Sequence, residues 1–229
     1  MDGLRGIAVL LMVIYHFTFD LNYFGQVQID FYNDPLWLGF RALIVTMFLG
    51  LVGISLHLAT RHGVKRTPFA RRLLLLIFNA ALVSAGSYLV FPESMIYFGI
   101  LHFIAVASVV GLLMVRFYWL NLLLGVVLVM MGLFMQHPLF DHPMLHWVGL
   151  MTHKPVTEDY VPMIPWFGVV LLGLFLGRRF FSVEPLPRLL RWPGEPRAMQ
   201  ALTLAGRHSL LIYMVHQPVL IGAMFVLWG

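Results

Sequence analysis

Three side chains near the start of the chain have the types and spacing of a proton-transfer site: Arg5, His16 and Asp20. Arg5 and His16 are eleven residues apart. On a helix that is three turns plus about 20°, so they share one stripe, about 16 Å apart along the axis. Asp20 follows His16 by four residues, which puts both on one face within reach of each other. A carboxylate there orients an imidazole and raises its basicity, and an imidazole so held can take a proton from a hydroxyl or an amine. It can equally attack an activated acyl group and carry it as an acyl-imidazole; the spacing does not choose between the two. Asp2, Val9 and Met12 lie near the same stripe, so the segment presents a polar line that faces a bundle interior rather than lipid. The plainer readings are a structural hydrogen-bonding histidine and a carboxylate that caps the helix end. His102 and His216 also fall inside apolar segments, and are candidates for positioning an acceptor or stabilising an oxyanion.

The elements that must carry these residues follow from composition. The chain has 229 residues, 60% hydrophobic and only 11% charged, where a soluble domain carries roughly 25% charged residues to solvate its surface. Its mean hydropathy is +0.86. Such a chain needs lipid as solvent over most of its perimeter. A bilayer core about 30 Å thick takes roughly 20 apolar residues per spanning helix, and seven stretches qualify: 4–21, 36–59, 72–91, 97–115, 117–135, 161–177 and 201–228. The expected fold is an all-α, polytopic membrane bundle of about seven helices forming a single domain over 1–229. The first run has no small-x-small cleavage site and reads as a retained helix rather than a signal peptide. Pro218 lies inside the last run and is expected to kink it. With no cysteine, disulfide and thiol chemistry are excluded.

The loops orient the bundle. Arg61, Lys65, Arg66, Arg71 and Arg72 follow the second run, Arg116 the fourth, and Arg178, Arg179, Arg188, Arg191 and Arg197 the sixth. The alternate links are acidic: Asp30 and Asp34, then Glu93, then Asp141, Glu158 and Asp159, with Lys154 the one basic exception. The basic side is cytoplasmic by the positive-inside rule, so the N-terminus is inside and the C-terminus outside. The net charge of +5 is therefore a topology signal and not a nucleic-acid surface. His57 and His62 read as ordinary interfacial residues. His137, His142, His146 and His153 form a histidine-rich link, but their spacing fits no closed zinc site and no metal is expected. Gly50 and Gly53 permit close helix contacts, within one chain or in a homodimer. A competing reading of the buried His and Asp residues is a proton-coupled transporter; the absence of a detectable inverted repeat argues against it.

The first segment, DGLRGIAVLLMVIYHFTFDLNYFG, resembles the opening of the heparan-α-glucosaminide N-acetyltransferase catalytic-domain family, whose bacterial members are small integral membrane proteins. FGILHFIAVASVVGLL around His102, IPWFGVVLLGLFLG, and LAGRHSLLIYMVHQPVLIG around His216 resemble it in the expected order. Arg5, ten residues, then His16 is also similar to the arginine-x10-histidine motif of the wider membrane acyltransferase superfamily. The resemblance implies a bacterial inner-membrane acetyltransferase. Acetyl-CoA would be the donor, bound from the cytoplasm, and a sugar hydroxyl or amine on the far side the acceptor. It implies His16 as the essential histidine. Guanidinium groups suit phosphates, so Arg5, Arg71, Arg72, Arg178, Arg179 and Arg207, all at or near the cytoplasmic end, are candidates to hold the nucleotide end of coenzyme A.

Overall fold

The structure is a computed structural model that describes residues 1–181 and 197–228. Among the described residues all regular structure is helical. The helices are α1 (Asp2–Tyr23), α2 (Pro35–Thr60), α3 (Arg66–Val90), α4 (Ile100–Met114), α5 (Trp119–Phe134), α6 (Met163–Phe181), α7 (Arg197–Arg207) and α8 (Ser209–Trp228), with three short 3-10 turns in the links. α1, α2, α3, α6 and α8 are long and apolar enough to cross a membrane. α4 and α5 are as apolar but run only 15 and 16 residues, or roughly 22–24 Å. The protein is an all-α polytopic membrane protein. Each of the seven apolar runs holds a helix, and the last holds two. Arg188 and Arg191 lie outside the described residues.

Local chemistry sets the boundaries. Asp34 caps α2 by accepting the Leu36 amide at 2.8 Å, and Asp30 closes the preceding turn through the amides of Tyr32 and Asn33. Two of the acidic loop residues are thus caps as well as topology signals. α3 starts earlier than hydropathy alone indicates, because Pro68 in its first turn gives up only an amide that would be unpaired anyway. α4 starts later than expected: the Asp159 carboxylate accepts the Ile100 amide at 2.8 Å and fixes the first turn there. α6 winds regularly only after Ile164, which is extended (φ −104°, ψ 124°) as the residue before a proline prefers to be.

The chain divides into two compact units at Phe48/Leu49, inside α2. In the first unit, α1 packs on α7 and α8. Gly6 lies against Leu202, and Gly206 against Asp2, so α7 runs opposite to α1. His16 meets His216, Asp20 meets Gln217, and Phe24 meets Phe225, so α8 runs with α1. The segment 201–228, expected as one kinked helix, therefore reverses direction at His208. α8 itself continues through Pro218. Tyr15, Phe31, Trp37 and Phe40 pack edge-on or tilted, with ring centroids 4.6–6.0 Å apart. Such pairs are worth about 0.5–1.5 kcal/mol each beyond burial. They brace α1 at the level of His16.

The second unit holds the rest of α2 with α3 to α6. Gly53 of α2 meets the Val170 carbonyl of α6, and Gly173 of α6 meets the Gly50 carbonyl, so Gly53 serves a contact within one chain, whereas a Cβ at Gly50 would meet nothing within 4 Å. Gly125 of α5 and Gly168 of α6 each meet the other's carbonyl. Arg61 donates to the Phe181 carbonyl and Arg178 to the Arg116 carbonyl, which gathers three basic links at one end of this unit. At another place, Ser94 bonds Glu158 at 2.6 Å and Thr157 bonds the Met95 carbonyl, joining two acidic links.

The histidine-rich link is held by its own hydrogen bonds. His137 and His142 cap short turns through Nδ1, and His146 bonds the Tyr97 hydroxyl and the Asp141 carbonyl. The Asp141 carboxylate accepts the Thr152 amide at 2.8 Å and its hydroxyl at 2.7 Å; these bonds hold its carboxyl below the usual carboxylate value. A group depressed in the folded state stabilises above its unfolded value near 4 and loses that effect as pH falls through the folded value. The protection factor of the Thr152 amide, its exchange rate corrected for the intrinsic rate at each pH, is therefore expected to be high at pH 7 and to fall below about pH 4, and to be low at both pH values in Asp141→Ala.

Candidate functional site

The stripe predicted on α1 faces inward. Val9, Met12 and Asp20 are buried, while Arg5 and His16 are partly so. α8 supplies the opposing face, with His216 buried and Gln217 beside it. Two contacts, one helical turn apart on α1, join the helices. The His16 and His216 rings lie edge to face with centroids 4.8 Å apart, and the Gln217 amide nitrogen donates to Asp20 Oδ1 at 3.4 Å.

The hydrogen bonds fix both imidazoles in the same tautomer. His16 Nδ1 donates to the Met12 carbonyl at 2.9 Å, and His216 Nδ1 donates to the Tyr213 carbonyl at 2.7 Å. In each neutral ring the proton is then on Nδ1 and the lone pair on Nε2. Asp20 was expected to orient His16. Here a backbone carbonyl does so, and the Asp20 carboxylate is engaged by Gln217 instead. His216 Nε2, Asp20 Oδ2 and Gln217 Oε1 are all buried without a hydrogen-bond partner. With His216 in the tautomer just described, all three are acceptors. Buried acceptors lacking a donor cost about 1–3 kcal/mol each, so each calls for a partner, either an ordered water or a group of a ligand.

The structure brings His16, Asp20 and His216 together. His102 belongs to the second unit, where both of its ring nitrogens are engaged. Nδ1 accepts the Gly99 amide at 3.3 Å, and Nε2 donates at 3.1 Å to Ser84 Oγ, which itself donates to the Ile96 carbonyl. This network ties the start of α4 to α3. Of the six arginines, Arg5 and Arg207 converge on Asp2, at 2.8 and 3.5 Å. Arg71 and Arg72 are exposed on the first turns of α3, and Arg178 and Arg179 on the last turn of α6. Arg72 edges a small cleft with Val52, Leu56, Phe69, Leu76 and Ser108.

Two residues escaped the sequence reading. Arg41 sits inside an apolar run, and its side chain hydrogen-bonds Tyr15, the neighbour of His16. A charge within a membrane segment was the available signal. Gln217 carried none except its place next to His216.

Two helices of this integral membrane protein thus bring two imidazoles, a carboxylate and an amide to one contact in its interior. The chain matches the heparan-alpha-glucosaminide N-acetyltransferase catalytic family over residues 1–218 and belongs to that family. It is thereby a member of an acetyltransferase family built on membrane helices. No curated protein and no solved structure matches it.

Proposed function

We propose that this protein transfers an acetyl group from cytoplasmic acetyl-CoA to an amine or hydroxyl of a sugar on the far side of the membrane, as a single transmembrane domain of a bacterial inner membrane. The observation that carries the reading is the tautomer lock on His16: with Nδ1–H spent on Met12, Nε2 is the base, and the ring lies against His216, whose own Nε2 is one of the buried acceptors that a donor-bearing substrate completes. The parallel course of α1 and α8 fits an odd number of crossings and hence termini on opposite faces.

His16 Nε2 takes the proton of the acceptor as its nitrogen or oxygen attacks the thioester carbonyl. The new C–N or C–O bond forms, the C–S bond breaks, and the imidazolium returns the proton to the departing thiolate as CoA–SH. His216 Nε2, a lone-pair acceptor in this tautomer, receives a hydrogen bond from the acceptor group and so positions it. Arginines hold the donor's phosphates; Arg71, Arg72, Arg178 and Arg179 are exposed for this, while Arg5 and Arg207 must first exchange Asp2 for phosphate. His102 contributes through the α4 framework.

The test is reconstitution in proteoliposomes with labelled acetyl-CoA outside or inside and glucosamine as acceptor. Labelled N-acetyl product is expected only when donor faces the basic-loop side and acceptor the other. No turnover in either arrangement, with acetyl-CoA binding also absent, removes the transferase reading.

A further inference from the structure

Gln217 stands at the α1–α8 contact, and the transfer reaction gives it no task. It cannot exchange protons, so it is neither acid nor base. Its amide nitrogen donates to the buried Asp20 carboxylate at 3.4 Å. A carboxylate accepts, so the amide nitrogen is assigned to the Asp20 side. The amide oxygen is buried and unpaired, and so is the second oxygen of Asp20. Two unpaired acceptors thus belong to one hydrogen-bonded pair of side chains, one turn along α1 from His16, which is about 6 Å of rise. A substrate that gives its reacting proton to His16 Nε2 still leaves these two acceptors unsatisfied. A second N–H or O–H on the same molecule, close to the first, supplies the missing donor.

We infer that Gln217 is a positioning and specificity residue: its amide oxygen, together with Asp20 Oδ2, receives a second donor on the carbon next to the one that bears the acylated group. The inference rests on the transferase reading above. It confines the acceptor to molecules with vicinal donors, such as an amino alcohol or a diol in a ring, and it predicts rejection of an otherwise equal acceptor with one donor. A site that buries hydrogen-bonding groups discriminates strongly against a ligand that leaves them unpaired, whereas apolar shape alone discriminates weakly.

The test uses the full-length protein in detergent with acetyl-CoA and two acceptors of one ring size, trans-2-aminocyclohexanol and cyclohexylamine. The wild type is expected to favour the amino alcohol in kcat/KM by roughly 10-fold or more. In Gln217→Met, which keeps length and removes both polar atoms, that preference falls to about unity through a raised KM for the amino alcohol, with KM for acetyl-CoA unchanged. A purely architectural role would instead lower both acceptors alike and keep the ratio. Equal wild-type use of the two acceptors overturns the assignment without any variant, so misfolding of Gln217→Met leaves the test intact. A preference that survives in the variant overturns it as well. Transfer to neither acceptor, nor to glucosamine, indicts the transferase reading itself.

Discussion

His16→Ala is expected to lower kcat for acetyl transfer by about 10²–10⁴-fold, the usual contribution of a general base, with KM for acetyl-CoA nearly unchanged. The split follows from placement. His16 sits deep in α1 against His216, while the arginines that suit phosphates lie at the ends of helices in both units. Losing an interaction made only in the transition state lowers kcat and kcat/KM together. The assay is release of free CoA thiol with glucosamine present, on protein whose elution and helical content match the wild type. Wild-type turnover in the variant would remove His16 from the chemistry. A second measurement separates the two roles open to an imidazole. If His16 were the nucleophile, incubation with labelled acetyl-CoA and no acceptor would leave acetyl on the protein in stoichiometric amount, removable by hydroxylamine. A general base leaves none, which is the expected result, because the locked Nε2 has no acceptor proton to remove until the second substrate binds.

The α1 stripe was legible because it depends only on helical geometry. An Arg, a His and an Asp spaced by eleven and four residues must share a face, and a polar face in lipid must turn inward. The partners of those residues were not legible, for a reason that is also geometric. Helical side chains lean toward the N-terminus, so the ring of His16 finds the carbonyl one turn before it, Met12, rather than the carboxylate one turn after. Asp20, released from that duty, is met by a residue nearly 200 positions away. No spacing rule carries such a contact. Likewise, the loop charges conveyed alternation, whereas the reversal at His208 escaped: a hydropathy window averages an amphipathic eleven-residue helix into the apolar one that follows. The sequence did hold a hint, since Gly206, Arg207 and His208 interrupt the apolar run. His102 and His216 looked equivalent as lone histidines in apolar segments. Their hydrogen bonds separate them, since one is fully engaged in a helix start and the other retains a buried, unpaired nitrogen.

That reversal leads to the prediction with the largest effect on the fold. A Cβ added at Gly206 would lie 1.8 Å from the Asp2 carbonyl oxygen, and one at Gly6 would lie 1.9 Å from the Leu202 carbonyl oxygen. In both cases the obstacle is the backbone of the opposing helix, not the end of a flexible side chain. A rotamer change cannot relieve it; α1 and α7 have to move apart along their shared face. Overpacking that side chains can absorb costs about 1–3 kcal/mol, and here that is the lower limit. Gly206→Val is therefore expected to destabilise the protein by at least about 3 kcal/mol, seen as a large drop in Tm and in folded yield from the membrane. The damage would extend to the site, because α7 sets where α8 begins, and α8 carries His216 and Gln217 to α1. Gly222, on α8, provides the control. A Cβ there meets nothing within 4 Å, so Gly222→Ala should leave Tm unchanged or slightly raised, as alanine exceeds glycine in helix propensity by up to about 1 kcal/mol. Equal behaviour of the two variants would mean that α1 and α7 are not in backbone contact, and the placement of α8 against His16 would lose its support.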